Sequence, residues 1–215
     1  MGGGVLITLE GGEGAGKSTQ ARRLGDRIAA VGRAVVVTRE PGGSPGAEQI
    51  RRLVVTGAPD AWSPIAETLL IYAARRDHLD RTIRPALHSG AVVICDRFLD
   101  STRAYQGGPQ GAPASLLSAL EETVLEGLRP DLTLILDLPE ETGLARAAAR
   151  GAGEGRFEAK DLAFHRRLRQ AFRDIAAREA QRCVLIDASL GPEEVAADIW
   201  RAANSRLALG CTARP

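Results

Sequence analysis

Val5-Leu6-Ile7-Thr8-Leu9-Glu10-Gly11-Gly12-Glu13-Gly14-Ala15-Gly16-Lys17-Ser18-Thr19 decides how this 215-residue chain folds. Five apolar or β-prone residues run straight into the spacing G-x4-G-K-S. Lys17, Ser18 and Thr19 then open a segment whose apolar groups, Ala21, Leu24, Ile28 and Val31, recur every three or four residues and stop at Gly32. Strand, glycine-rich loop and helix in that order turn backbone N–H groups toward phosphate oxygens, while the lysine supplies charge and the serine a hydroxyl for a metal ion. The stretch predicts a triphosphate cradle built from Gly11, Gly12, Glu13, Gly14, Ala15, Gly16, Lys17, Ser18 and Thr19.

The rest of the chain fits an α/β protein around that cradle. Further apolar runs at 34–38, 91–95, 132–136 and 183–186 lack polar alternation, as expected of parallel strands covered on both faces. Helical patterns lie at 46–56, at 65–88 as one or two helices, after a capping Ser115, at 161–180, and from Pro192 onward. The expectation is one domain over residues 1–215 with a lid at about 150–160, where Arg150-Gly-Ala-Gly-Glu-Gly155 is too glycine-rich to pack. Twenty-eight basic against 27 acidic residues leave a net charge of +1, which gives no electrostatic case for a nucleic-acid partner. Three cysteines are an odd number without ligand spacing, and the two in apolar runs read as buried reduced thiols. With no signal-peptide pattern and no apolar run of membrane-spanning length, the expectation is a cytoplasmic protein without a membrane partner.

Phosphate binding alone would serve a kinase, a GTPase, a motor or a transport ATPase. Two strands end in acids, Asp96 and Asp137, at the sheet edge where open parallel sheets bind ligands. Asp96 is followed by Arg97, a pairing suited to metal or metal-bound water on one side and a second phosphate on the other. Asp137 reads as a cap for the next helix. Arginines placed apart from the loop, at Arg39, Arg51, Arg75, Arg76, Arg97, Arg150 and Arg156, would neutralise an anionic acceptor. No Asn-Lys-x-Asp segment follows the fourth strand, so a guanine reader is disfavoured, and a small-molecule kinase remains.

Several segments together resemble the bacterial thymidylate kinases, within the nucleoside monophosphate kinases: Glu10–Thr19, Thr38-Arg-Glu-Pro-Gly-Gly43, Tyr72-Ala-Ala-Arg75, Asp96-Arg-x5-Thr102-x-x-Tyr105-Gln-Gly107, Arg129-Pro-Asp-Leu-Thr-Leu134 and Arg156-Phe-Glu158. The resemblance implies a five-stranded parallel sheet of order 2-3-1-4-5, a homodimer, and transfer of the ATP γ-phosphate to dTMP with Mg²⁺. By position it implies Lys17 on the β- and γ-phosphates, Ser18 and Asp96 at Mg²⁺, and Arg146 near the adenine. It places Arg75 and Arg97 on the dTMP phosphate, with Glu40 organising that end and Arg39 and Arg51 nearby. Glu13 would face the 3′-hydroxyl, Thr102 the thymine edge, and Tyr105 the sugar where a 2′-hydroxyl would project. The phosphate loop carries Ala15 and no arginine, so the resemblance assigns catalysis to Arg150 in the lid, with Arg156 second. Two positions depart from the family: Ile71 replaces an aromatic that normally stacks on thymine, and Arg103 stands where some relatives have a glutamine. Both bear on base selectivity. A kinase for another pyrimidine nucleotide such as dUMP, or a nucleotide-binding protein without transfer, are the alternatives.

Overall fold

A computed structural model of the chain describes residues 3–58, 60–149 and 155–210. Strands β1 (Val5–Gly11), β2 (Val35–Arg39), β3 (Val92–Asp96), β4 (Leu132–Asp137) and β5 (Cys183–Asp187) alternate with helices. These are α1 (Lys17–Ala30), α2 (Pro45–Val55), α3 (Pro64–His78), α4 (Arg84–His88), α5 (Leu99–Tyr105), α6 (Ala114–Leu125), α7 (Glu140–Ala149), α8 (Gly155–Glu158), α9 (Leu162–Arg178) and α10 (Pro192–Leu207). The strands form one sheet in the order β2-β3-β1-β4-β5, each neighbouring pair parallel.

The apolar runs work as expected in the sheet's centre and less so at its edges. β3 is buried throughout, whereas β2 and β5 are partly open, with Val37 43% and Leu185 42% exposed. In β1 the pleat sends Ile7 and Leu9 into a core shared with Leu24, Ile28 and Ile199 from α1 and α10. Leu6 faces the other side, with Tyr72, Leu79, Phe98 and Leu125. Thr8 and Glu10 are the polar exceptions, both fully buried, and the Thr8 and Thr133 hydroxyls meet at 2.8 Å across the β1–β4 pair.

Some local expectations change. The 65–88 pattern is one continuous run interrupted by a π-helical turn, Leu79–Ile83. Pro85 comes two residues after it; it has no N–H to give the carbonyl one turn back, and the backbone widens there. Ser115 is not a cap: α6 starts one residue earlier, with Pro113 extended at ψ 131° ahead of it. Asp137 does not cap α7 either, because its carboxylate is taken by Arg169 of α9 at 2.7 and 3.0 Å. The short α5 had no periodic signal; its seven residues hold too few apolar repeats to show one.

β1 leads to β2 on one side of the sheet, and β3 leads to β4 on the other. The crevice above the adjacent carboxyl ends of β1 and β3 is therefore the switch point of the topology. The glycine loop sits there because α7 lets it. Gly14 has φ +68°, and a Cβ on it would lie 2.0 Å from the Gly143 carbonyl oxygen. A Cβ on Gly143 would in turn lie 2.4 Å from the Glu13 carbonyl oxygen. Gly143 itself is helical, and in an ordinary helix Gly→Ala adds about 1 kcal/mol of stability. Here Gly143→Ala is expected to do the opposite, lowering the thermal midpoint and weakening nucleotide binding by pushing on the loop backbone. Differential scanning calorimetry with a fluorescent-nucleotide titration checks this; unchanged affinity would mean the loop yields freely.

Candidate active site

A cavity of about 960 Å³ opens at the switch point, between the glycine loop, the ends of β2 and β3, helices α2, α3 and α5, and α8. Lys17 stands at one end, 7% exposed, its ammonium donating to the Gly12 carbonyl at 2.7 Å. Burial, with the Arg97 charge close by, lowers its pKa to about 8 against the partial support of Glu13 and Asp96. The Ser18 hydroxyl donates to the Asp96 carboxylate, bringing the first turn of α1 onto the last residue of β3. Gly14 and Gly16 line the cavity with them. Ala15 packs into the core, Gly11 and Gly12 border a smaller recess behind the loop, and Thr19 is exposed on α1.

Arg97 is bound on every side. Its backbone is left-handed at φ 69°, an uncommon conformation for a residue with a side chain. Its amide donates to the Leu9 carbonyl at 2.9 Å. One guanidinium nitrogen reaches the Gly11 carbonyl at 3.0 Å and the Ser101 hydroxyl at 3.1 Å, and the other reaches Glu13 at 3.0 Å. Tyr105 donates its hydroxyl to the same Glu13 oxygen at 2.6 Å, and the Arg97 guanidinium lies 5.0 Å above the tyrosine ring. Burial raises the Glu13 pKa, but the Arg97 and Lys17 charges and the tyrosine bond outweigh it and hold the carboxylate at about 2.

The second arginine lies at the other end. Arg75 is 1% exposed; its Nε donates to Glu40 at 2.7 Å and one terminal nitrogen to Thr102 at 2.9 Å. Its remaining nitrogen, Nη1, is buried with no hydrogen-bond partner among the described residues. A buried N–H is seldom left so without a ligand to take it. Tyr72 and Phe98 hold the guanidinium between their rings at 4.9 and 5.1 Å. His78 bonds the other Glu40 oxygen at 3.1 Å and Thr38 at 2.8 Å. Ile71 lines the cavity, whereas Tyr72 faces the core.

Arg39 and Arg51 also line the cavity, the first pairing with Glu48 and the second donating to the Pro41 carbonyl. Arg146 lies outside it, on the Ala188 carbonyl at 3.0 Å. Arg76 is committed to Asp80 and Glu126. Arg103 corrects an expectation, because it does not reach the cavity. It makes a two-pronged bond to Glu121, both contacts at 2.6 Å, and another to Glu179 at 2.7 Å. With Arg182, which stands just before β5 and forks onto buried Asp100 at 2.7 and 2.8 Å, it ties α5 to α6, to the end of α9 and to the start of β5. Arg150 lies outside the described residues.

The sequence missed Phe98, Ser101 and Gln106 as cavity residues and Glu10 behind them. Glu10 is fully buried and accepts from the Phe98 amide at 2.9 Å and the Ser101 hydroxyl at 2.5 Å. All four stand inside the motif segments, so the signal was present without a position-specific reading. Glu67 had no comparable signal, since an acid in a helix's first turn is ordinary, and Arg156, second choice for the catalytic arginine, is instead buried against it.

The family model described as thymidylate kinase matches residues 9–199. The thymidylate kinase of Caulobacter vibrioides is 64% identical over 96% of this chain and 99% of its own, and that of Bradyrhizobium diazoefficiens 54% identical over 95% and 90%. Among solved structures, the thymidylate kinase of Ehrlichia chaffeensis superposes with a TM-score of 0.77 at 32% identity, covering 94% of this chain and 99% of that one.

The Glu13 pKa has a consequence for stability. A carboxylate at about 2 in the fold and about 4.5 unfolded stabilises the protein above pH 4.5 and loses that contribution as pH falls toward 2. The difference in unfolding free energy between the parent and Glu13→Gln is therefore expected to be constant above about pH 5 and to shrink below it, by on the order of 3 kcal/mol. Urea titrations across that range measure it; a difference independent of pH would show that Glu13 is not held ionised by Arg97.

Proposed function

Because the chain belongs to the thymidylate kinase family and moves the γ-phosphate of ATP to dTMP, giving dTDP and ADP, we propose that its residues divide the reaction between the two ends of one cavity. The glycine loop and Lys17 take the β- and γ-phosphates, and Arg146 borders the adenine. Arg75 and Arg97 take the dTMP phosphate, with Arg39 and Arg51 beside them and Glu40 keeping Arg75 in place. The carrying observation is Arg75 Nη1, a buried cationic donor without a partner among the described residues, in the same cavity as Lys17. Both substrates are anionic, so catalysis here consists of holding them in line and neutralising charge as it shifts toward the bridging oxygen. Arg150 is assigned the charge on the transferring group. Glu13 and Tyr105, tied together, meet the sugar: a carboxylate accepts from a 3′-hydroxyl, and the ring occupies the space a 2′-hydroxyl would need. Thr102 faces the base edge.

Mg²⁺ fits the residues present. Ser18 and Asp96 bring two oxygen donors into contact at the start of α1, the hard ligand set that this ion prefers. Bound there, the ion would neutralise charge on the β- and γ-phosphate oxygens. Glu40, His78 and Cys95 also lie together, but Glu40 is already bonded to Arg75 and His78. Exposed Ile65 and Leu69, four residues apart on α3, with Leu53 on α2, support a homodimer through these helices. No described helix is long and apolar enough to cross a membrane.

A coupled ADP-release assay against dTMP, dUMP, ribose TMP, dCMP and AMP tests the substrate; turnover of dUMP equal to dTMP would overturn the assignment. Lys17→Ala is expected to cut kcat by two orders of magnitude or more with the fold intact, and a loss within threefold, under 1 kcal/mol, would remove Lys17 from the transition state. Activity is expected to vanish in EDTA and return with Mg²⁺ in excess over ATP; full activity of the stripped protein would refute the metal assignment. Ile71 gives the thymine ring an aliphatic contact without ring–ring attraction, worth about 0.5–1.5 kcal/mol. Ile71→Phe should therefore lower the KM for dTMP about two- to tenfold in steady-state assays, and an unchanged KM would place the base elsewhere.

A further inference from the structure

Arg156 and Glu67 form a buried ion pair that the reaction as described does not use. Both side chains are about 1% exposed, although one stands on α8 and the other in the first turn of α3. Arg156 also donates to the Val54 carbonyl at 3.0 Å and the Ala58 carbonyl at 3.1 Å. Val54 lies in the last turn of α2, where a carbonyl has no helical partner, and a cation at that end is favoured by the helix dipole. The planar guanidinium thus gathers the end of α2, the connector after it and α3 at one point.

Glu67 has a second duty. Its other oxygen accepts from the Gln106 amide nitrogen at 2.7 Å. A carboxylate only accepts, so Gln106 must present its NH₂ to Glu67 and turn its oxygen away. Gln106 is itself buried and lines the cavity beside Tyr105. On α8, Phe157 next to Arg156 meets the Tyr105 ring edge-on at 5.4 Å. The pair therefore bears on three parts of the acceptor wall: Gln106 through Glu67, Tyr105 through Phe157, and the Val54–Gly57 rim through the carbonyls.

We propose that Glu67 and Arg156 are positioning residues for the acceptor nucleotide, setting the wall that receives it. The proposal rests on the assignment of dTMP as acceptor. A purely structural ion pair makes a different demand: buried pairs can be replaced by apolar groups of similar size without loss of stability, whereas removing one partner strands a charge. The test is the double variant Glu67→Leu/Arg156→Met, compared with the parent for the thermal midpoint and for the KM of both substrates. The expected result is a midpoint within a few degrees of the parent, a KM for dTMP raised more than threefold, and a KM for ATP within twofold. A KM for dTMP raised less than threefold, or both constants rising together, would overturn the proposal. Should the double variant fail to fold, Gln106→Leu leaves the ion pair intact and decides the matter. A rise in the dTMP constant alone supports positioning, and unchanged constants refute it. Turnover of dTMP by the parent, measured alongside, separates failure of this inference from failure of the substrate assignment.

Discussion

The Arg97 guanidinium on Glu13 is the contact around which the rest of the site is arranged. Arg97 follows β3 and Glu13 lies within the loop after β1, so their bond closes the mouth between two adjacent strands. It leaves the loop with a fixed carboxylate, which in turn orients Tyr105, and it brings a permanent cation beside Lys17. The backbone at Arg97 adopts a conformation that costs about 1–3 kcal/mol, and the surrounding hydrogen bonds hold it there. Two buried cations side by side repel each other, which suits a site whose ligands bring several negative charges of their own.

Around this contact the protein separates polar duties by layer. Arg97 and Arg75 work on the cavity side of β3 and α3, while Arg103 and Arg182 work behind α5 against Asp100, Glu121 and Glu179. The rear network fixes the helix that presents Thr102 and Tyr105, so that these side chains are placed by charge pairs they do not touch. Cation and anion counts nearly cancel over the whole chain, and both sets of arginines are paired with carboxylates: Arg97 with Glu13 and Arg75 with Glu40 in the cavity, Arg103 with Glu121 and Arg182 with Asp100 behind it.

What could be seen in the sequence follows from how local each signal is. The loop, its flanking strand and helix, and the five strands declare themselves through spacing and apolar runs, because neighbours in sequence there are neighbours in space. Arg75, Arg97, Thr102 and Tyr105 were legible through their segments. The pairing of Glu67 with Arg156 was not, for they are 89 residues apart and nothing near either foretells the other. Arg103 shows the converse failure. It adjoins Thr102 in sequence, yet on a helix successive side chains diverge by about 100°, and its partners Glu121 and Glu179 come from two other elements. Asp137 failed for the same reason, since Arg169 arrives from a helix more than thirty residues later.

The mutual contact of Gly14 and Gly143 carries an evolutionary corollary. Each position forbids a side chain on the other's account, one because its neighbour's carbonyl occupies the space and the other because the loop's own carbonyl does. A lineage that acquired a side chain at position 143 would first have to move α7 outward. Such a shift would drag with it Arg146, one turn along the same helix, and Ala188, to which Arg146 is bonded. The Arg146–Ala188 contact and the phosphate loop are thus bound to change together or remain as they are, although neither Arg146 nor Ala188 appears in the loop's sequence signature.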